Sequence, residues 1–279
     1  MTLLRHIEAC NRADQAQFRG FAISGEPLGH VRAEIAAWLV AHKFAKPAAG
    51  GVGIQGGGFM AISGQLVRIV DGLSQAKLMA APRREMTPVM PKWGLPPIAE
   101  IDRAGLPGLG LPAFGVHVNG FVRGRDGIHL WVGRRARNRL VAPGKLDHLV
   151  AGGIPSGLTA FETVIKEADE EAGLSPEIAR QARPVGAITY RMALPEGLRN
   201  DTLFVYDLEL PQGLTPASND GEVEYFELWP IERVIETLRK TDDFKFNVNL
   251  VLIDFLIRHG LLDPDREPDY VEIVRGLRR

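Results

Sequence analysis

Within the stretch VIKEADEEAGL, Glu167, Glu170 and Glu171 fall at i, i+3 and i+4. On a helix that spacing places three carboxylates on one face. Like charges so arranged repel by roughly 0.2–0.5 kcal/mol per pair, so they either face solvent or share a cation. A solvated face is the usual fate of a charge run. The alternative is a hard divalent cation such as Mg2+, which takes oxygen ligands from carboxylates, waters and substrate phosphates. A metal held this way can lower the pKa of a bound water or polarise a substrate oxygen.

The flanking residues decide whether that helix exists. Thr159 and Glu162 make a T-x-x-E capping box, which starts the helix at Thr159, and Gly173 is placed to end it. Phe161, Val164, Ile165 and Ala168 then fall mostly opposite the acids, where they can pack on a sheet, while Asp169 points away from the cluster. Upstream, LDHLVAGGI (146–154) reads as a strand ending in glycines, which brings a backbone carbonyl near Ala151–Gly152 toward the same cation.

The remaining pattern after residue 111 is strand-rich. GVHVNGFV (115–122) and IHLWVGRR (128–135) alternate and flank an RGRDG turn, so they form a hairpin. A short helix near 176–182, strands at PVGAITYRM, TLFVYDLEL and EYFELW, and helices near 230–239 and 246–259 complete this part. Before it, GLPGLGLPAFG (105–115) reads as a linker. Residues 27–43 show a helical stripe of Leu28, Val31, Ile35, Trp38 and Leu39, and FMAISGQLVRIV alternates like a strand. Residues 1–110 therefore read as a small α+β accessory domain and 111–279 as the domain that carries the chemistry.

Composition removes several function classes. The 279 residues carry a net charge of −1, which points to neither nucleic acid nor an anionic membrane. No apolar run is long enough to span a bilayer. Cys10 is the single cysteine, so no intrachain disulfide forms, and it reads as an inert thiol in a cytoplasmic protein. A literal G-x-G-x-x-G stands at Gly51, Gly53 and Gly56, but neither flank fits a dinucleotide fingerprint, and a flexible hairpin is the better reading.

From Gly152 to Leu174 the chain resembles the Nudix box, G-x5-E-x7-R-E-U-x-E-E-x-G-U with U aliphatic. Gly152, Glu167, Ala168, Glu170, Glu171, Gly173 and Leu174 fall in register. Leu158 stands where the family has its first glutamate, and Lys166 replaces its arginine. A lysine's point charge reproduces poorly the planar fork that orients a box carboxylate. DRAGL, GVHVNGFV, WVGRR, PGKLDHLVAGGIPSG, YDLELP and NDGEVEYFEL are further similar to a narrower group, related to the Nudix part of fungal thiamine pyrophosphokinase fusions.

The resemblance implies an α/β/α sandwich with a mixed sheet and a pyrophosphohydrolase. Its metal would be Mg2+, replaceable by Mn2+, held by Glu167, Glu170, Glu171 and Ala151. Its substrate would be a small-molecule diphosphate, with a thiamine diphosphate derivative cleaved to the monophosphate favoured. Glu222, in NDGEVE, is the expected outside acid beside Glu170 and Glu171 as catalytic groups, although Asn-Asp-Gly is also ordinary turn chemistry. Arg134 and Arg135 are the expected substrate contacts, because the guanidinium fork suits phosphate.

Other candidates are weaker. His117 and His148 read as satisfied core or surface histidines. Ser156 lacks a nucleophile-elbow context, and Trp131, Tyr190, Tyr206 and Trp229 read mainly as core. A Nudix-fold binding module with little catalysis is the competing reading, motivated by Leu158 and Lys166. A diphosphate isomerase is disfavoured because the expected cysteine acid is missing from this domain. A ligand cover or a homodimer contact are the open uses for residues 1–110.

Overall fold

The computed structural model describes residues 2–278. Its first part runs α1 (Leu4–Cys10), β1 (Phe18–Ile23), β2 (Glu26–Arg32), α2 (Ala33–Ala41), β3 (Lys46–Ala48), β4 (Gly51–Ile54), α3 (Phe59–Gln75), β5 (Met86–Val89), β6 (Ala99–Asp102) and α4 (Gly105–Leu109). Strands β2, β1, β4 and β3 make one sheet in that order, with β1 parallel to β4, and β5 pairs with β6 alone.

The second part runs β7 (Pro112–Gly124), β8 (Gly127–Arg135), β9 (Leu146–Asp147), β10 (Val150–Gly153), α5 (Ala160–Ala172), α6 (Pro176–Ala179), β11 (Arg183–Leu194), β12 (Gly197–Glu209), β13 (Val223–Pro230), α7 (Ile231–Lys240), α8 (Phe246–Arg258) and α9 (Tyr270–Gly276). Its mixed sheet follows β11-β12-β7-β8-β13, with β12 and β7 parallel. One edge of β7 is shared: its Phe121–Gly124 end pairs with β8, and its Gly115–Val118 end pairs with β10. That split sets β10, and the loop leading from it into α5, beside the middle of the sheet.

Side-chain alternation along β7 makes the layers. Val116 and Val118 pack with Val164 and Ala168 of α5 on one face. On the other, the Phe121 ring meets Phe255 of α8 with centroids 5.7 Å apart. Burying one such large apolar side chain stabilises the fold by roughly 1.5–3 kcal/mol, so α5 is held firmly by its apolar stripe. The expected α/β/α sandwich with a mixed sheet is present, preceded by an α+β region.

Several local readings are corrected. Residues 59–75 form helix α3, because Ile62, Leu66, Ile69, Val70 and Leu73 keep a helical period well past the short alternation at its start. Leu28 and Val31 belong to β2, paired with β1, and only Ile35, Trp38 and Leu39 lie on a helix. The stripe spanned a strand–helix junction that spacing alone could not resolve. The segment at 105–115 is no solvated linker: α4 buries Leu106 and Leu109 in the N-terminal core, and β7 starts at Pro112. LDHLVAGGI splits into β9 and β10, interrupted at His148 and Leu149. Helix α9 had no expectation.

We propose residues 1–110 and 111–279 as the two domains, with α1 crossing over. Leu3, Ile7 and Cys10 belong to the core that also contains α8 and α9 residues such as Phe255 and Ile273. Cys10 is buried, its Sγ donates to the Phe246 carbonyl, and burial pushes the thiol up to about 12. Burial and a raised pKa both disfavour the thiolate, in keeping with the inert thiol expected from the sequence. Among the described residues no helix is long and apolar enough to cross a membrane.

Candidate metal and diphosphate site

Helix α5 begins as its sequence dictates. Thr159 Oγ1 accepts from the Glu162 amide at 3.2 Å, and Glu162 Oε2 accepts from the Thr159 amide at 2.9 Å. This reciprocal cap commits Glu162 to the helix start, so it does not replace the acid missing at Leu158. At the other end Gly173 takes φ 61°, and a Cβ there would stand 2.6 Å from the Ala217 carbonyl oxygen. The loop before β13 closes over that end: the amides of Ala217 and Asn219 donate to the Ala172 and Glu170 carbonyls at 3.1 and 2.9 Å. The orphan carbonyls of the helix terminus therefore anchor the loop that carries Glu222.

On the acidic face, Glu171 is 6% exposed, and its Oε2 accepts from the Ala151 amide at 2.7 Å. Burial raises the Glu171 carboxyl well above the usual range despite that hydrogen bond, and Asp147, Glu167 and Glu222 raise it further by repulsion. Burial also raises Glu167, with Lys166 pulling the other way. Lys166 Nζ stands 3.2 Å from Glu167 Oε1 and 2.5 Å from Glu170 Oε2, so the lysine does orient box carboxylates here. Asp169 lies off this face, its carbonyl accepting from Asn219.

The three acids share a face but not a finished ligand cage. Among the described residues no three His, Cys, Asp or Glu side chains are gathered for a metal ion. Lys166 draws Glu167 and Glu170 to itself, while Glu171 turns to Ala151. The donor set nevertheless fits a hard divalent cation: all oxygen, with one buried carboxyl whose charge its neighbours oppose. Gly152 adds a cradle, since a Cβ there would stand 2.5 Å from Glu167 Cδ. Gly152→Ala is therefore expected to push Glu167 aside; were Glu167 a ligand of a divalent cation, affinity for that cation would weaken by roughly 10–100-fold, the usual scale for a disturbed ligand support. Calorimetric Mg2+ titration of the variant checks this.

Behind Glu171 lies a buried charge group. Asp147 accepts from Arg135 at 2.6 Å and from Lys245 at 3.4 Å. Burial alone would raise Asp147, but Lys245 and Arg135 hold it well below the usual carboxylate range. Arg135, expected at the substrate, is instead buried and gives its remaining donors to the Val141 carbonyl. Arg134 donates to the Gly144 carbonyl at 2.8 Å and to Tyr225 Oη at 3.3 Å. Glu222 pairs with Arg139 and is close enough to Glu171 for its charge to act there.

His117 and His148 meet Nδ1 to Nδ1 at 3.0 Å, both buried. Burial lowers both, His148 to about 4, so they are neutral at physiological pH. Trp131, Tyr190, Tyr206 and Trp229 are all buried.

Two residues escaped the sequence reading, and both come from the N-terminal region. The β5–β6 hairpin docks on the segment between β10 and α5: Thr87 Oγ1 donates to the Ile154 carbonyl at 3.2 Å, and the Ser156 amide donates to the Met86 carbonyl at 2.9 Å. The loop joining the hairpin strands delivers Trp93, half-buried, with ring centroids 4.9 Å from Phe114 and 4.5 Å from Phe204. Arg103, just after β6, lies against Gly153. The similarity of DRAGL to the narrower group was the available signal for Arg103; nothing comparable marked Trp93.

The NUDIX domain family model matches residues 113–249. These residues are a Nudix domain. The chain is 42% identical over 214 residues to Nudix hydrolase 24, chloroplastic, from Arabidopsis thaliana, covering 76% of this chain and 58% of that protein. It is 41% identical over 211 residues to Nudix hydrolase 20, chloroplastic, from the same plant, covering 75% and 56%. The chain thus spans just over half the length of these curated relatives. A crystal structure of DR0079 from Deinococcus radiodurans superimposes with a TM-score of 0.47 at 21% identity, covering 61% of this chain and 98% of that one. Strand β10, helix α5 and the loop between them all lie within the matched residues.

Proposed function

We propose that this chain is a Mg2+-dependent diphosphate hydrolase. Glu167, Glu170, Glu171 and the Ala151 carbonyl would hold the metal, and Mn2+ would substitute. The observation that carries this reading is the 2.7 Å bond from the Ala151 amide to Glu171, made beside a Glu167 carboxyl that only Gly152 leaves room for. It fixes one strand end and one helix face as a single oxygen-rich wall. When bound, the metal supplies charge neutralisation to the diphosphate oxygens and a water of lowered pKa. Lys166 orients Glu167 and Glu170. Glu222 accepts the water's proton on a carboxylate oxygen, with Arg139 keeping it aimed. Arg134 reaches the substrate, while Arg135 acts through Asp147.

The preferred substrate is a thiamine diphosphate derivative, cleaved to the monophosphate, ahead of a nucleoside diphosphate. Support comes from the similarity of residues 100–230 to the narrower Nudix group and from Trp93 as an aromatic surface at the docked hairpin. A cytoplasmic location belongs to the same proposal.

Purified protein incubated with Mg2+ and intact or oxidised thiamine diphosphate, ADP-ribose and nucleotides tests this reading. Metal-dependent release of a monophosphate, fastest with a thiamine derivative, is the expected result. Leu158 at a position of the box where the family has an acid favours the second reading, a Nudix-fold binding module. Tight binding with no monophosphate released from any compound would select that reading.

A further inference from the structure

We propose that Arg103, from the N-terminal region, is a substrate-binding residue that grips the diphosphate across the Gly152–Gly153 pair from the metal-binding glutamates. The inference rests on the hydrolase reading above and deepens it. Consecutive glycines carry opposite charges against them: a Cβ on Gly152 would meet the Glu167 carboxyl, and a Cβ on Gly153 would meet Arg103 Cζ, Nε and Nη2 at 3.2, 3.3 and 3.4 Å. A side chain at Gly152 would displace the Glu167 carboxyl and one at Gly153 would press on the Arg103 guanidinium, the two groups flanking the end of β10.

The guanidinium is fixed from one side. Its Nη1 donates to Glu85 Oε2 at 2.9 Å, and its backbone amide donates to the Glu85 carbonyl at 2.8 Å. Asp102 next door accepts from the amides of Arg83, Arg84 and Ala104 at 3.0, 2.6 and 2.9 Å, which stiffens the turn. The Nε–Nη2 edge is left along Gly153, and this is the fork that takes two oxygens of a phosphate. The side chain is 43% exposed, so an incoming ligand reaches it.

Three other cations near the site are engaged differently. Lys166 serves Glu167 and Glu170, Arg135 serves Asp147, and Arg139 serves Glu222. A diphosphate adds several negative charges to a wall that is already acidic, and Arg103 offers a fork poised beside that wall from the other domain. This explains why the β5–β6 hairpin is docked so tightly on the segment that enters α5. It also gives the N-terminal region a direct part in recognition.

Calorimetric titration of inorganic pyrophosphate with Mg2+ into wild type and Arg103→Ala tests the proposal without turnover. The variant is expected to bind at least about tenfold more weakly, as loss of a charge-assisted fork implies, with an unchanged Mg2+ affinity and melting temperature. On whichever diphosphate the wild type hydrolyses, KM should rise by a similar factor while kcat changes less than about threefold. Should Arg103→Ala fail to fold, Arg103→Lys decides, because it keeps the charge and loses the fork; several-fold weaker binding is expected. Pyrophosphate affinity within twofold of wild type in the variant that folds overturns the proposal, as does a wild type that does not bind pyrophosphate at all. A wild type that binds pyrophosphate but hydrolyses nothing overturns the hydrolase reading and leaves Arg103 as a diphosphate ligand.

Discussion

Glu171→Gln is expected to lower hydrolysis by at least about 10³-fold, equivalent to roughly 4 kcal/mol of transition-state stabilisation, while leaving the fold intact. The amide is isosteric with the carboxylate and still accepts from the Ala151 amide, so the β10–α5 contact survives. What disappears is the buried negative charge on which cation binding depends. The same substitution carries a stability signature. Burial and the nearby acids raise Glu171 in the folded protein, so wild type is stabilised by the protonated form and loses that stabilisation as pH rises through the raised value. The neutral glutamine has no such loss. In metal-free protein, the melting temperature of Glu171→Gln relative to wild type should therefore climb with pH. Steady-state assays and pH-dependent melting read the two effects separately; full activity in the variant would remove Glu171 from the mechanism.

Asp147→Asn is expected to destabilise the protein by about 3–5 kcal/mol, the usual cost of removing one partner from a buried ion pair. Asparagine keeps the shape but leaves Arg135 and Lys245 buried without their shared counter-charge. In a chain of this size the melting temperature should fall by very roughly 10 °C. The pH dependence has the opposite sign to that of Glu171. Lys245 and Arg135 hold Asp147 below the usual range against the effect of burial. Its contribution is thus fully present above the unfolded carboxyl's pKa and is lost as pH falls through the lower folded value. The stability gap between wild type and variant should hold from neutrality down to about pH 4 and close below it. Chemical denaturation across that range measures it; an unchanged gap at pH 2 would mean that the ion pairs do not stabilise the fold.

The C-terminal half was legible because its signals are local. The Thr159–Glu162 cap and the Gly173 stop are each written within a turn or two, and the structure has both; of the apolar stripe, Val164 and Ala168 are buried, whereas Phe161 stays exposed and Glu171 is buried in its place. Strand alternation gave β7, β8, β11, β12 and β13 because each has one or both faces in a continuous core. The N-terminal half was read less well where two periods abut, as at the β2–α2 junction, and where a short alternation opens a long helix, as in α3. Glycine and proline at 105–115 suggested a linker because sequence does not show that glycines can also serve close packing. In the site, i, i+3, i+4 spacing gave the acidic face, but side-chain partners were invisible. Nothing in the run Arg134–Arg135 says that the second guanidinium turns inward to Asp147. Arg103 stands 64 residues before Glu167 in sequence and comes to lie against Gly153, next to the Gly152 that faces Glu167, only through the docking of a separate hairpin.

Mn2+ binding followed by electron paramagnetic resonance, in wild type and in the Glu167→Gln, Glu170→Gln and Glu171→Gln variants, probes most directly whether these acids act together on one cation centre. Each single substitution should weaken Mn2+ strongly, with melting temperatures preserved. Wild-type affinity retained in all three variants would contradict a metal centre on this helix face and, with it, the catalytic account.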